Sequence, residues 1–269
     1  MLPSFCSVKS MKVVVNPEYI ALKGFVENVL SHSYEASETY RAFRNIVEDV
    51  TVDGVRMVVK RFRKPTEFNR IVYTFIRPTK AKRSYNYSLR LKSMGIDVPA
   101  PIGYVEKRRG LFFHTGCYIS IYTDYRSVKD FESPEKKDQM EHFLKEFTDF
   151  IVDFHSKKLV HNDFNVDNIL YKVVDGHYRF QLIDLNRVQF NNHSLNKCAK
   201  DISSIHFDKN TMDRVINDYC KLRSINKEKF LKLVENNRNH SKRVSHIKDI
   251  ILGPLGLRKS AQARRKISQ

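Results

Sequence analysis

The stretch LVHNDFNVDNILYKV (residues 159–173), followed closely by FQLIDLNR (residues 180–187), decides how the rest of the chain is read. Asp175-Gly176 separates two β-rich runs there, NILYKVV and YRFQLIDL, and that pattern predicts a hairpin. His161, Asp163 and Asn168 fall on the loop before the hairpin, and Asp184 follows its second strand. The hairpin should therefore return Asp184 to the side of Asn168. Phosphoryl transfer needs a carboxylate near the attacking hydroxyl and oxygen ligands for magnesium on the phosphates. A loop with an Asp and then an Asn, plus another Asp across a hairpin, supplies those groups. Any one of these residues alone reads as a cap or a turn; the ordered set of four carries the chemistry.

Working outward, SPEKKDQMEHFLKEFTDFIVDFHSKK (residues 133–158) aligns Phe143, Phe147, Phe150, Ile151 and Phe154 on one stripe. That spacing predicts an amphipathic helix, with Ser133-Pro134-Glu135 as cap and first-turn proline. From Leu195 onward the chain reads as helical and charged. The half before the long helix reads differently. MKVVV (residues 11–15) is a short strand, and NIVEDVTV and VRMVVKRF flank Asp53-Gly54 as a first hairpin. Phe68 to Met94 reads as helix, broken by Pro78 and stopped at Gly95. VPAPIGYVEK and GLFFHTGCYISIYTDY resume the β pattern. The expected class is α+β, with a β-rich unit over residues 1–122, a helix-rich unit over 123–255 and a basic tail over 256–269. The boundary is expected near Tyr122 to Arg126.

The order His161, Asp163, Asn168 and then Asp184 resembles the protein-kinase-like signature H-x-D-x-x-x-x-N followed by a metal-binding aspartate. The resemblance implies a two-lobe fold with an antiparallel-sheet N-lobe and a helix-rich C-lobe, using ATP and Mg2+. It makes Asp163 the catalytic base, Asn168 and Asp184 the metal ligands, and His161 the residue bracing the loop. Asp184-Leu185-Asn186 stands where D-F-G is usual. Lys60, inside the β run MVVKRF, matches the strand lysine that meets the nucleotide phosphates; a lysine guarding an edge strand is the plainer reading. Two departures stand out. The strand-turn-strand before Lys60 must come from SYEASETYRAFRNI, which has no glycine, and the following helix, AKRSYNYSLRLKSMG, has no acid. Asn86 is the residue best aligned with the glutamate that kinases pair with this lysine.

Four segments carry a narrower resemblance: VDGVRMVVKRF, AKRSYNYSLRLKSMGIDVPAPIGYVE, HNDFNVDNIL and LIDLNR. Together they resemble the bacterial lipopolysaccharide kinase family, the Kdo and heptose kinases, over residues 11 to 235. That resemblance implies phosphorylation of a sugar hydroxyl in the lipopolysaccharide inner core, at the cytoplasmic face of the inner membrane. Two alternatives stay open: an atypical protein kinase similar to the RIO group, and a catalytically weak, pseudokinase-like nucleotide-binding protein.

Composition bounds the partners. Lys and Arg number 48 against 30 Asp and Glu, a net charge of +18, which favours a polyanionic partner such as a phosphorylated glycolipid. No RNA-binding motif with stacking aromatics is evident, which counts against nucleic acid. RIVYTFIRPTKAKR (residues 70–83) interleaves apolar and cationic residues. Two readings stay open for it: an anionic membrane surface as a further partner, or inward-packed apolar groups with solvated charges. No run approaches the roughly 20 apolar residues of a membrane span, and the first residues lack a secretory pattern. The expected location is the cytoplasm, with a peripheral position at the inner membrane left open. Cys6, Cys117, Cys198 and Cys220 are scattered and read as reduced thiols.

Overall fold

The computed structural model describes residues 10–31, 34–42, 45–132 and 139–252. They divide into two compact units, one within residues 1–130 and 167–188, the other within 131–166 and 189–269.

The first unit is built on six strands: β1 (Met11–Val15), β2 (Glu38–Ala42), β3 (Asn45–Val52), β4 (Val55–Phe62), β5 (Pro101–Arg109) and β6 (Phe112–Ile121). Their order is β1-β5-β6-β4-β3-β2, with every neighbouring pair antiparallel. Asp53 and Gly54 join β3 to β4 with φ of +52° and +77°. Positive φ at both positions is the turn whose twist matches paired strands, and it is the reason Asp-Gly marks a hairpin.

Period two then sorts the side chains of β4. Met57 and Val59 join a buried cluster with Leu22, Val26 and Val29, under α1 (Lys23–Asn28) and its flanking 3-10 turns. Val58, Lys60 and Phe62 take the opposite face, where Phe62 packs with Ala81 and Tyr85 of α3 (Lys80–Ser93). Thr79 caps α3 by accepting from the Lys82 N–H at 3.1 Å. Gly95, at φ +74°, closes it, and the Ile96 N–H reaches back to the Leu91 carbonyl at 3.0 Å. As expected, Pro78 separates α3 from an upstream helix: α2 (Glu67–Ile71) runs into a π turn over Val72–Ile76 and stops.

A second, three-stranded sheet carries β7 (Arg126–Ser127), β8 (Ile169–Val174) and β9 (His177–Leu182) in that order. Asp175 and Gly176 repeat the positive-φ turn, at +51° and +79°. The sequence suggested a single boundary near Tyr122; by contact the β8–β9 hairpin counts with the first unit instead. The reason is local hydrogen bonding. Leu182 N–H donates to the Asp97 carbonyl, and Gln181 donates its amide to the Asp97 carboxylate, both at 3.0 Å.

The second unit is helical: α4 (Met140–Ser156), α5 (Leu195–Ser203), α6 (Lys209–Leu222) and α7 (Lys227–Leu252). The aromatic stripe of α4 is its core. Phe143, Phe147, Ile151 and Phe154 are fully buried, and half-buried Phe150 stacks on Phe164. The expected cap at Ser133-Pro134-Glu135, the basic tail and Cys6 lie outside the described residues; Cys117, Cys198 and Cys220 are free and buried. Among the described residues no helix is long and apolar enough to cross a membrane.

Candidate active site

The first unit holds a cavity of about 250 Å³. Val47, Val58, Ile121, Leu170 and Leu182 give it apolar walls, interrupted by Lys60 and Asp184. Strand alternation puts Lys60 there: its neighbours Val59 and Arg61 point to the other face, where Arg61 is paired with Glu48 at 2.7 Å. Lys60 Nζ lies 2.8 Å from the Asp184 carboxylate. Asp184 adopts the left-handed backbone (φ 54°, ψ 49°) at the head of a 3-10 turn over Leu185–Arg187. An Asp tolerates that conformation better than most residues. The Asn186 amide donates to its carboxylate.

α3 takes hold of this turn from the side. Arg83 Nε donates to the Asn186 carbonyl at 3.0 Å and its Nη1 to the Pro78 carbonyl at 2.8 Å. Burial, and then the field of Arg77, depress the Arg83 pKa, so these two acceptors offset a real desolvation cost.

Asn168 immediately precedes β8. Its carbonyl accepts the Ile183 N–H at 3.0 Å, and Ile169 pairs with Leu182. The hairpin thus sets Asn168 next to the residue preceding Asp184. Together the two offer hard oxygen donors of the kind a divalent cation such as magnesium takes, so the residues present fit a metal.

Asn86, read from the sequence as the partner of Lys60, is placed elsewhere. It is exposed on α3, whereas Ser84 lines the cavity with Lys60. Two residues amount to about 200° around an α-helix, so the two side chains leave on opposite sides. The correction is that Lys60 is paired with Asp184 rather than with a group at position 86. Ser88, on the buried side with Ser84, lies 2.9 Å from the Tyr118 hydroxyl, which also lines the cavity.

His161 and Asp163 belong to the second unit. Val160 bridges Gln189 through paired backbone hydrogen bonds of 3.1 and 2.8 Å, which fixes the start of the loop. The next two amides hang on one carboxylate: Asp201 accepts the His161 N–H at 2.6 Å and the Asn162 N–H at 2.7 Å, one on each oxygen. Asn162 takes φ +62° to allow this. His161 is fully buried against Phe164, while Asp163 is half-exposed and its carbonyl accepts the Asn165 N–H at 2.9 Å.

Behind Asp201 lies a buried polar set. His155 Nε2 is 3.5 Å from Asp201, and His155 Nδ1 is 2.9 Å from the Tyr219 hydroxyl, which accepts from Arg223 at 2.7 Å. Burial alone would lower the His155 pKa, but Asp201 and Cys198 carry it above its ordinary value.

For three contributors the sequence did not reveal the role played here. Asp201 had a usable signal: it stands among Cys198, Ala199 and Ile202 on the apolar side of α5, where an acid implies a partner. Arg83 and Asn186 had none, since their roles are bonds across long sequence separations.

A family model for the lipopolysaccharide kinase (Kdo/WaaP) family matches residues 28–225. This chain belongs to that family. It is accordingly a phosphotransferase. No curated protein matches the sequence. Among solved structures, WaaP in complex with acyl carrier protein superposes with a TM-score of 0.60 at 16% identity, covering 85% of this chain and 98% of that one. An aminoglycoside-3'-phosphotransferase of type VIII superposes at 0.50 with 12% identity, covering 76% and 93%. At these identities the likeness is one of fold: the kinase-like architecture of an antiparallel-sheet N-terminal region and a helical C-terminal region. The family match, over most of the chain, carries the activity class.

Proposed function

We propose that this kinase transfers phosphate from ATP, with magnesium, to a sugar hydroxyl of the lipopolysaccharide inner core, at the cytoplasmic face of the membrane that holds its acceptor. The observation that carries the reading is the pairing of Lys60 with Asp184 in one cavity of the first unit, with Asn168 bonded through its carbonyl to Ile183, the residue before Asp184. Its apolar walls suit a purine, and Lys60 supplies the cation that nucleotide phosphates require. Magnesium held by Asp184 and Asn168 would neutralise charge on the phosphates. Asp163 would accept the proton of the attacking hydroxyl, and Asp201 would fix the backbone that presents it. His161 would hold the loop by its burial rather than touch a reactant.

The deciding experiment incubates the full chain with labelled ATP and three acceptors: Kdo–lipid A, heptose-bearing core and a generic protein substrate. Label on a core acceptor, abolished by EDTA, supports the reading. Label on protein alone would transfer it to the atypical protein-kinase alternative. A second reading, weak catalysis, is favoured by Ser84 standing where a helix carboxylate would face Lys60. Nucleotide binding in calorimetry without measurable transfer to any acceptor would select it.

A further inference from the structure

The four most exposed large apolar side chains among the described residues are Phe68 and Ile76 at 75%, Leu111 at 74% and Phe75 at 67%. They gather on one surface of the first unit. Phe75 meets Phe112 edge to face at 6.1 Å, and Leu111 precedes Phe112 in the β5–β6 turn. Arg70 lies over the same Phe112 ring at 5.6 Å. Phe113 N–H donates to Thr74 Oγ1 at 3.0 Å, and Tyr73 packs on Phe113, so the π turn is fastened to β6. Ile71, also exposed, lies between Phe68 and Phe75 at helical spacing. The π turn itself is closed by Arg77 N–H to the Val72 carbonyl at 2.8 Å. Its extra residue turns Phe75 and Ile76 away from the side where Tyr73 packs.

Two cationic cavities flank this apolar crest, and both are lined by Tyr73. One, of about 560 Å³, has Arg63, Lys64 and Lys80 in its wall. The other, of about 240 Å³, has Lys12, Arg77, Lys82 and Arg108. Glu106 is the one carboxylate lining either, and it is buried and accepts from Thr79. Glu67 is engaged by Arg70 at 2.5 Å. Nearby His114 reports the field: burial first, then Lys64, Arg70, Arg109 and Lys107, press its pKa below the ordinary value.

From this juxtaposition we infer that α2, the π turn and the β5–β6 turn form a docking surface for an anionic lipid bilayer, with Phe68, Phe75, Ile76 and Leu111 entering the acyl boundary and the two cationic cavities receiving lipid phosphates. The shape favours a bilayer over a protein. Here the apolar groups protrude and the concave places are cationic, the reverse of a groove that takes a partner's amphipathic helix. Apolar tips with recessed cations match acyl chains beneath phosphate headgroups. Both readings of residues 70–83 are thereby divided by residue. Tyr73 packs inward, Phe75 and Ile76 face out, and Arg83, 4% exposed and bonded to Pro78 and Asn186, is excluded from the membrane face. The inference rests on the glycolipid reading only for its purpose, which is to hold the enzyme where a membrane-anchored acceptor lies.

The test uses the full chain, without nucleotide or acceptor, and vesicles of phosphatidylglycerol with phosphatidylethanolamine or of phosphatidylcholine alone. The sequence contains no tryptophan, so Leu111→Trp is a unique reporter and Leu222→Trp, on α6, a control. Expected are sedimentation with anionic vesicles only and a blue shift of Leu111→Trp emission but not of Leu222→Trp. A Phe68→Ser/Phe75→Ser/Ile76→Ser variant should lose binding at least about tenfold. An Arg63→Ser/Lys64→Ser/Arg77→Ser/Arg108→Ser variant should lose about a hundredfold or more at low salt and less at high salt, since each such charge is screened. Three results overturn the surface: no sedimentation at low salt, an unshifted Leu111→Trp on vesicles that do bind, or a concentration-dependent dimer that the apolar triple variant dissolves. The last would make a second copy the occupant. The two proposals fail separately. Vesicle binding with no core phosphorylation overturns only the acceptor, and core phosphorylation without vesicle binding overturns only this surface.

Discussion

The loop bearing Asp163 and the turn bearing Asp184 each centre on an acid, but the acids do opposite jobs. Asp201, 1% exposed, is a support: it accepts two backbone amides and has a buried histidine behind it. Asp184 is itself the supported group, held by a lysine, an amide and, through the turn, by Arg83. A buried carboxylate with both oxygens occupied fixes backbone position and is costly to disturb. A partly exposed carboxylate paired with a lysine can exchange partners, as the role proposed for Asp184 toward a metal would require.

Substitutions can break this contrast. The largest effect is expected from Asp163→Asn, which should lower turnover by about a hundredfold or more while melting temperature and nucleotide affinity hold, because Asp201 anchors the backbone of the loop and the substitution keeps the side chain's shape. Wild-type turnover would remove Asp163 as base. Asp184→Ala should erase the difference in nucleotide affinity measured by calorimetry with magnesium and with EDTA. If the wild type shows no such difference, Asp184 is not a metal ligand.

Asp201→Ala leaves two amides without their acceptor, and about 2–4 kcal/mol of unfolding free energy should go with it in urea melts. Lys60→Ala, removing the more exposed anchor, should cost under about 1 kcal/mol there. Equal losses would abolish the contrast.

A pH series sharpens it further. His155 has a raised pKa in the folded state, so its contribution is full below the unfolded value near 6.5 and fades as pH rises through the folded value. The stability advantage of the wild type over His155→Gln should therefore shrink as pH rises above ~6.5. The Cys198 thiol, whose own pKa is lowered because the bonds from His155 and Arg223 outweigh its burial, adds the opposite slope only at higher pH. A constant gap across pH 6 to 9 would contradict the assignment. The smallest effect is Asn86→Glu, at an exposed position: no change in nucleotide affinity is expected, whereas Ser84→Glu should alter it.

Much of the fold was legible because it is local. The Asp-Gly turns, Pro78, Gly95 and the phenylalanine stripe of α4 each act within a few residues, and the structure realises each of them. The placement of Lys60 and the meeting of Asn168 with the Asp184 turn were also within reach, since strand alternation and hairpin closure follow from spacing. Asn86 shows where spacing fails. An alignment picks a position on a helix, but two residues of phase decide whether it faces the cavity or water.

By itself, then, the sequence determined the elements, their order and the spacing of His161, Asp163, Asn168 and Asp184 on which the proposed chemistry rests, because turns, periods and motif spacing are short-range properties of the chain. Tertiary structure alone decided that Asp201 carries the Asp163 loop, that Arg83 faces inward to the Asp184 turn, and that Phe75 and Ile76 face out. Those facts depend on contacts between residues tens of positions apart, where burial and hydrogen-bond geometry are set by packing and leave no periodic mark on the sequence.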